Sequence, residues 1–198
     1  MNNARVVSVN RSLALPRLIN GESVLTGIGK QPVDGPVEVS AMGLDGDEQA
    51  DLSVHGGLAK AVYAYPQAHY AFWQTVRAQA GLAAADAPGS PLPSLPFGLL
   101  GENLTIAGIS EELLWIGDHL LLPGCVLAVS QPRYPCFKFN AAMGFNQASK
   151  LMAQSGYCGV YLAVVEPGTV SAGDAVQVQP GPREVGVREL FWAKMRRA

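Results

Sequence analysis

Arg133, Cys136 and Lys138, within the stretch SQPRYPCFKFN (Ser130–Asn140), have the types and spacing to act together chemically. The thiolate is the reactive form of cysteine, both as nucleophile and as ligand to soft metals, and nearby cations favour it over the thiol. Pro132 and Pro135 remove two backbone donors and drive Gln131 and Tyr134 toward extended backbone. The segment therefore reads as a stiff loop, neither strand nor helix, that presents Cys136 behind the β-rich run CVLAVS. The competing reading is a buried, inert cysteine, a common fate of that residue in soluble proteins.

A second concentration of polar groups lies in GLDGDEQADLSVHGGLAKAVYAYPQAHY (Gly43–Tyr70). Asp45, Asp47, Glu48 and Asp51 lack the ligand spacing of an EF-hand loop, so calcium is not indicated. His55 precedes Gly56 and Gly57; imidazole can give or take a proton near neutrality, and glycine lets backbone amides approach a ligand closely. Lys60 follows, with Tyr63 and Tyr65 at alternate positions of a β-type run, where tyrosines are expected to be core-facing with a wet hydroxyl. Asn103, in GENLTIAG, follows a glycine turn and on its own reads as a self-capping turn residue.

These groups need a scaffold, and short β-type runs separated by glycine and proline predict one. RVVSVN, VEVSAMGL, KAVYAY, VLAVSQ, GVYLAVV and AVQVQP, in a chain with 22 glycines and 14 prolines, point to an all-β sandwich or barrel. A helix is expected from Pro66 to Gly81, with Pro66 in its first turn. A second is expected in NQASKLMAQSG, capped by Asn146 and stopped by Gly156, and a third near the C-terminus, packing through Leu190, Phe191 and Met195. The proline-rich segment 81–96 reads as a surface insertion.

Composition removes several function classes. With 15% charged residues and a net charge of −2, no basic surface announces nucleic acid. The three cysteines, Cys125, Cys136 and Cys158, have neither disulfide-framework nor zinc spacing, and Cys125 and Cys158 are assigned to the core. No apolar run suits a membrane span or a signal peptide, so a cytoplasmic protein is expected.

In order and spacing, GLDGDEQADLSVHGG, KAVYAYPQAHYAFW, GENLTIAGI, IGD, VSQPRYPCFKFN and GYCGVYLAVVEPGTVSAGD resemble the MOSC family, the molybdenum-cofactor-sulfurase C-terminal domain. Within it they are similar to the stand-alone YiiM type. The resemblance implies a mainly β fold, a closed β-barrel of the pyruvate-kinase-β-barrel-like kind with a few peripheral helices. The barrel domain is expected over residues 1–181, with the insertion at 81–96, and a short helical tail over 182–198. It also implies a molybdenum cofactor, a metal carried by a pterin, with Cys136 as metal ligand. Arg133, Lys138, Lys60, His55, Gly56, Gly57 and Asn103 would bind the cofactor, and His55 would share the catalytic role with Cys136, a proton coming from His55 or from nearby Lys60.

The activity so implied is reduction of small N-hydroxylated compounds, N-hydroxylated purine bases among them, to amines. The alternative is a non-redox carrier or binder of the cofactor, or of sulfur on Cys136. A reductase would need an external flavin or iron–sulfur electron-donor protein, because the chain has neither a clustered-cysteine motif nor a GxGxxG fingerprint. Pyridoxal phosphate, used by larger relatives, is not expected in this chain. Nucleic acid and membrane partners are not expected either, and a homodimer through the C-terminal helix stays open.

Overall fold

Alternation between inward and outward side chains dominates the strands of the computed structural model, which describes residues 4–52, 56–82 and 95–196. In chain order the strands are β1 (Ala4–Arg11), β2 (Leu15–Ile19), β3 (Glu22–Thr26), β4 (Gln31–Val33), β5 (Val37–Ser40), β6 (Gly43–Leu44) and β7 (Val62–Pro66). They continue as β8 (Leu104–Ala107), β9 (His119–Leu121), β10 (Val126–Pro132), β11 (Val160–Glu166), β12 (Gly168–Val170) and β13 (Ala175–Gln179). The helices are α1 (Tyr70–Gln79), α2 (Phe137–Met143), α3 (Ala148–Ser155) and α4 (Val187–Met195).

A ring of strands in the order β13-β9-β10-β11-β7-β8-β1 closes where Ala4 and Arg5 of β1 pair with Val176 and Ala175 of β13. The expected closed barrel is therefore present, and closure removes the open edges that would otherwise invite aggregation. Only β7 and β8 run parallel within the ring. Val6, Val62, Ala64, Leu104, Leu120 and Leu127 fill its interior and are at most 1% exposed. Tyr63, Tyr65 and Tyr161 point the other way, into a second apolar layer completed by Trp73 of α1, Phe139 of α2, Met152 of α3 and Phe191 of α4. Strands β7 and β11 are thus covered on both sides where they carry these tyrosines.

Several local expectations change. Pro66 ends β7, with extended backbone opposite Ile106, and a 3-10 turn at Gln67–His69 intervenes before α1 starts at Tyr70. Pairing with β8 at this position outweighs the preference of proline for a first helical turn. Gln147 rather than Asn146 precedes α3, which does stop at Gly156 in the left-handed conformation.

The cysteine segment also departs from a simple loop. Strand β10 runs through Pro132, opposite Val160, and α2 begins immediately after Cys136. A proline at a strand end sacrifices little pairing, and Gly144 at φ 79 supplies the helix stop whose signal lay in FKFNAAMG. The hairpin β2–β3 was unforeseen, although Asn20 and Gly21, at φ 52 and 84, form the Asn-Gly turn favoured there. In α4, Phe191 is buried as expected, Leu190 and Met195 are half-buried, and Val187 supplies the second buried contact. Residues 83–94 of the proline-rich insertion lie outside the described residues.

Candidate functional site

A cleft on the outer face of the barrel brings together Lys60, Asn103, Arg133, Cys136 and Lys138. Its enclosed part holds about 90 Å³, and the cleft widens from there to an open mouth. Tyr63 of β7, Tyr161 of β11 and Arg133, just past β10, line it together with the start of α2 and residues of the segments 26–30 and 47–51.

Strand β10 delivers Arg133, and the turn that follows delivers Cys136 to the same wall. Arg133 is only 4% exposed, and its guanidinium lies 5.3 Å from the Tyr63 ring centre and 4.9 Å from that of Phe139. Among the described residues no carboxylate forms an ion pair with it. Burial opposes its charge, but the acidic groups facing it, Tyr63 foremost and then Cys136 and Tyr161, outweigh that effect and raise its pKa. The result is a permanent cation fixed between aromatic faces and electrostatically coupled to Cys136. Cys136 itself is half-buried, and its carbonyl accepts a 2.7 Å bond from Ser149 Oγ that pins the turn.

The other two cysteines contrast with it. Cys158 is fully buried, and burial, with Glu111 adding to it, pushes its thiol well up. Cys125 is 4% exposed and is pushed up to about 11, again by burial first and by Asp174 second. Both match the core assignment made from sequence.

Lys60 reaches the cleft at the end of a 3-10 turn, Leu58–Lys60, with its ammonium 6.0 Å from the Tyr161 ring centre. Gly56 and Gly57 set up this turn and do not themselves line the wall. A side chain at Gly56 would meet Gln49 Oε1 at 2.5 Å, and Gly57 sits at φ 85. The Gly57 amide already donates to Gln49 Oε1 at 2.7 Å, so Gln49 fastens the glycine pair. Lys138 extends to the mouth, where Nζ donates to the Leu25 carbonyl at 2.9 Å and ties α2 to the β2–β3 hairpin. His55 lies outside the described residues.

Asn103 lines the cleft but spends its amide on neighbours. Its Oδ1 accepts the Tyr63 amide at 3.0 Å, and its Nδ2 donates to Asp47 Oδ2 at 2.9 Å. Asp47 in turn binds the ammonium of Lys30, a buried pair on the same wall. Lys30 and Gln49 drew no attention in the sequence, and Asp47 entered only as part of a failed calcium pattern. The partners of their side chains lie from 7 residues away, for Gln49, to 56, for Asp47, and no local motif marks them. Tyr63 and Tyr65 are buried more completely than expected, with hydroxyls that donate to the Cys158 and Tyr157 carbonyls at 2.8 and 2.9 Å instead of to solvent.

The closed barrel, with a cysteine and a buried arginine meeting in an outer cleft, defines a class of protein, and the family comparison agrees. A MOSC domain model matches residues 51–177, and the chain belongs to the MOSC domain family, which is associated with the molybdenum cofactor. YflK of Bacillus subtilis (strain 168) is 38% identical over 175 residues, 87% of this chain and 73% of its own length. A protein of Gibberella moniliformis named Reductase is 36% identical over 164 residues, covering 82% of this chain but 27% of that protein. The crystal structure of YiiM from Geobacillus stearothermophilus has a TM-score of 0.74 at 26% identity, covering 98% of this chain and 85% of that one. No helix among the described residues is long and apolar enough to cross a membrane.

Proposed function

We propose that the chain is a molybdenum-cofactor-dependent reductase that converts small N-hydroxylated compounds, including N-hydroxylated purine bases, to amines in the cytoplasm. The observation that carries this reading is the half-buried Cys136 sharing one cleft wall with Arg133, a buried cation without a carboxylate partner among the described residues. A soft thiolate suits molybdenum, and a guanidinium held between aromatic rings suits a phosphate. The residues present fit the cofactor in kind.

In this reading Cys136 ligates the metal, while Arg133, Lys60 and Lys138 bind the phosphate and polar edge of the pterin. Asn103 and Gly56–Gly57 act indirectly, through Asp47 and through Lys60, and His55 remains a candidate proton donor. The bound cofactor supplies the two-electron chemistry that cleaves the N–O bond. The protein orients the substrate, shields one side of it with the Tyr63 and Tyr161 wall, and admits solvent at the mouth. An external flavin or iron–sulfur protein supplies the electrons. The reductase name of the Gibberella relative supports a redox role.

The test is molybdenum and pterin content of wild type and Cys136→Ala from a cofactor-producing host, followed by assay with an N-hydroxylated base and an artificial electron donor. Near-stoichiometric metal in wild type, its loss in the variant, and turnover by wild type are expected. Metal without turnover would replace the reductase by a carrier. No metal in wild type, with cofactor supply confirmed, would overturn the cofactor reading.

A further inference from the structure

The cleft has two cationic poles of different character. At one, Arg133 carries a charge that no carboxylate among the described residues cancels. At the other, Lys30 is tied to Asp47, with side chains only 8% and 5% exposed. Tyr63 and Asn103 link the poles: the Tyr63 ring faces Arg133, and its amide donates to Asn103, which holds Asp47.

Asp47 is fixed from three directions. Its Oδ1 takes the Lys30 ammonium and the Ser12 amide, the latter at 2.9 Å, and its Oδ2 takes Asn103 Nδ2 at 2.9 Å. The Lys30 backbone is fixed as well, its amide donating to the Gly98 carbonyl at 2.9 Å. An ammonium has three N–H donors; the Asp47 bond uses one, and among the described residues no other hydrogen bond takes the remaining two, in the cleft that Lys30 lines. A buried ion pair is weak support for stability, because apolar replacements of similar size often do as well. A pair this firmly held in a cleft wall is better explained by chemistry. Because Asp47 cancels its charge, Lys30 does not compete with Arg133 for an anion; it offers a proton-bearing donor to an uncharged group.

We propose that Lys30 is a catalytic residue, the proton donor to the oxygen that leaves the N-hydroxylated substrate, with Asp47 and Asn103 as its positioning residues; this rests on the reductase reading above. The overall change is R–NH–OH + 2e⁻ + 2H⁺ → R–NH₂ + H₂O. The N–O bond breaks, with both electrons coming from the external flavin or iron–sulfur protein. One proton joins the oxygen, which leaves as water, and the other joins the nitrogen. Lys30 Nζ gives the first and regains it from solvent through the mouth, and the second comes from solvent. Asp47 keeps its place throughout.

The test is Lys30→Ala in cofactor-loaded protein, with molybdenum content and thermal unfolding measured beside kcat. Loss of about 10²-fold or more in kcat is expected, the usual contribution of a general acid, at wild-type metal content. Methylamine or ethylamine in the assay should restore turnover in proportion to its concentration, and should not restore Asn103→Ala, whose lysine is present. Binding of the N-hydroxylated base without electron donor should weaken a few-fold, a readout separate from turnover. If Lys30→Ala misfolds because Asp47 is left buried and unpaired, Lys30→Gln, whose side-chain amide can still donate to Asp47 but has no acidic proton to give, should lose kcat to the same extent at wild-type metal content. Unchanged kcat, or loss of kcat without amine rescue at intact metal content, would overturn the role of Lys30 alone. Metal-loaded wild type that turns over no N-hydroxylated base would overturn the reductase reading and this role with it.

Discussion

Along β7, Val62 and Ala64 enter the barrel while Tyr63 and Tyr65 face the helices, and the two sides of the same strand are held by different forces. Inside, side chains that are almost all aliphatic pack on one another, and stability comes from area removed from water and from close packing. Outside, tyrosines, a buried arginine and a buried lysine–aspartate pair meet across a cleft, held by hydrogen bonds and ring faces. The interior gains stability by excluding polar atoms. The outer wall retains them where replacement by apolar residues would cost little, which marks it as the side selected for chemistry.

The thiols should show the largest contrast. Cys136 should react with an alkylating reagent in the native state at least about 10³-fold faster than Cys125 and Cys158, which react only through opening of the fold. Mass spectrometry of a labelling time course would show it, and equal rates would erase the distinction between the two regions. Next in size, Leu127→Ala in the barrel should lower stability by about 2–5 kcal/mol in urea denaturation, because a fully buried leucine leaves a cavity. Cys136→Ala should change stability by less than about 1 kcal/mol, since its site is already partly open.

Arg133→Met should separate binding from folding. Methionine can fill the space between Tyr63 and Phe139, so stability should move by no more than about 2 kcal/mol in either direction, whereas protection by pyrophosphate against thermal unfolding should vanish. The smallest effect concerns Glu102, fully buried, with Oε1 bonded to Tyr70, Gly98 and Thr105 and Oε2 without a partner among the described residues. Burial raises its pKa above the ordinary carboxylate value, the hydrogen bonds offsetting only part of that. The folded state then holds this proton more tightly than the unfolded state. Its contribution to stability is complete below the unfolded pKa and is lost as pH rises through the folded one. Glu102→Gln should flatten the fall in stability across that window in denaturation curves taken at stepped pH.

Much of the barrel was legible because its strands alternate and its turns carry glycine and proline, signals that act over a few residues. The weak points were positions where partners outvote local preference. Pro66 stays extended because Ile106 lies opposite, and β10 continues through Pro132 because Val160 does. The site was legible in part. Cys136, Arg133, Lys60 and Lys138 stood out by type and setting, and they meet in one cleft. Asn103 and Gly57 place their hydrogen bonds on Asp47, Tyr63 and Gln49 rather than leaving them open to the cleft. Lys30 and Asp47 had no local signature, because an ion pair across 17 residues leaves no periodicity to read.

The sequence by itself determined the mainly β class, the inert character of Cys125 and Cys158, and the MOSC resemblance, because composition, alternation and motif order are properties of the chain. Only the tertiary structure decided which face of each strand became wall and which became core. It also decided that Arg133 goes without a carboxylate among the described residues while Lys30 has one, because burial and charge pairing depend on what distant segments bring to the same few ångströms.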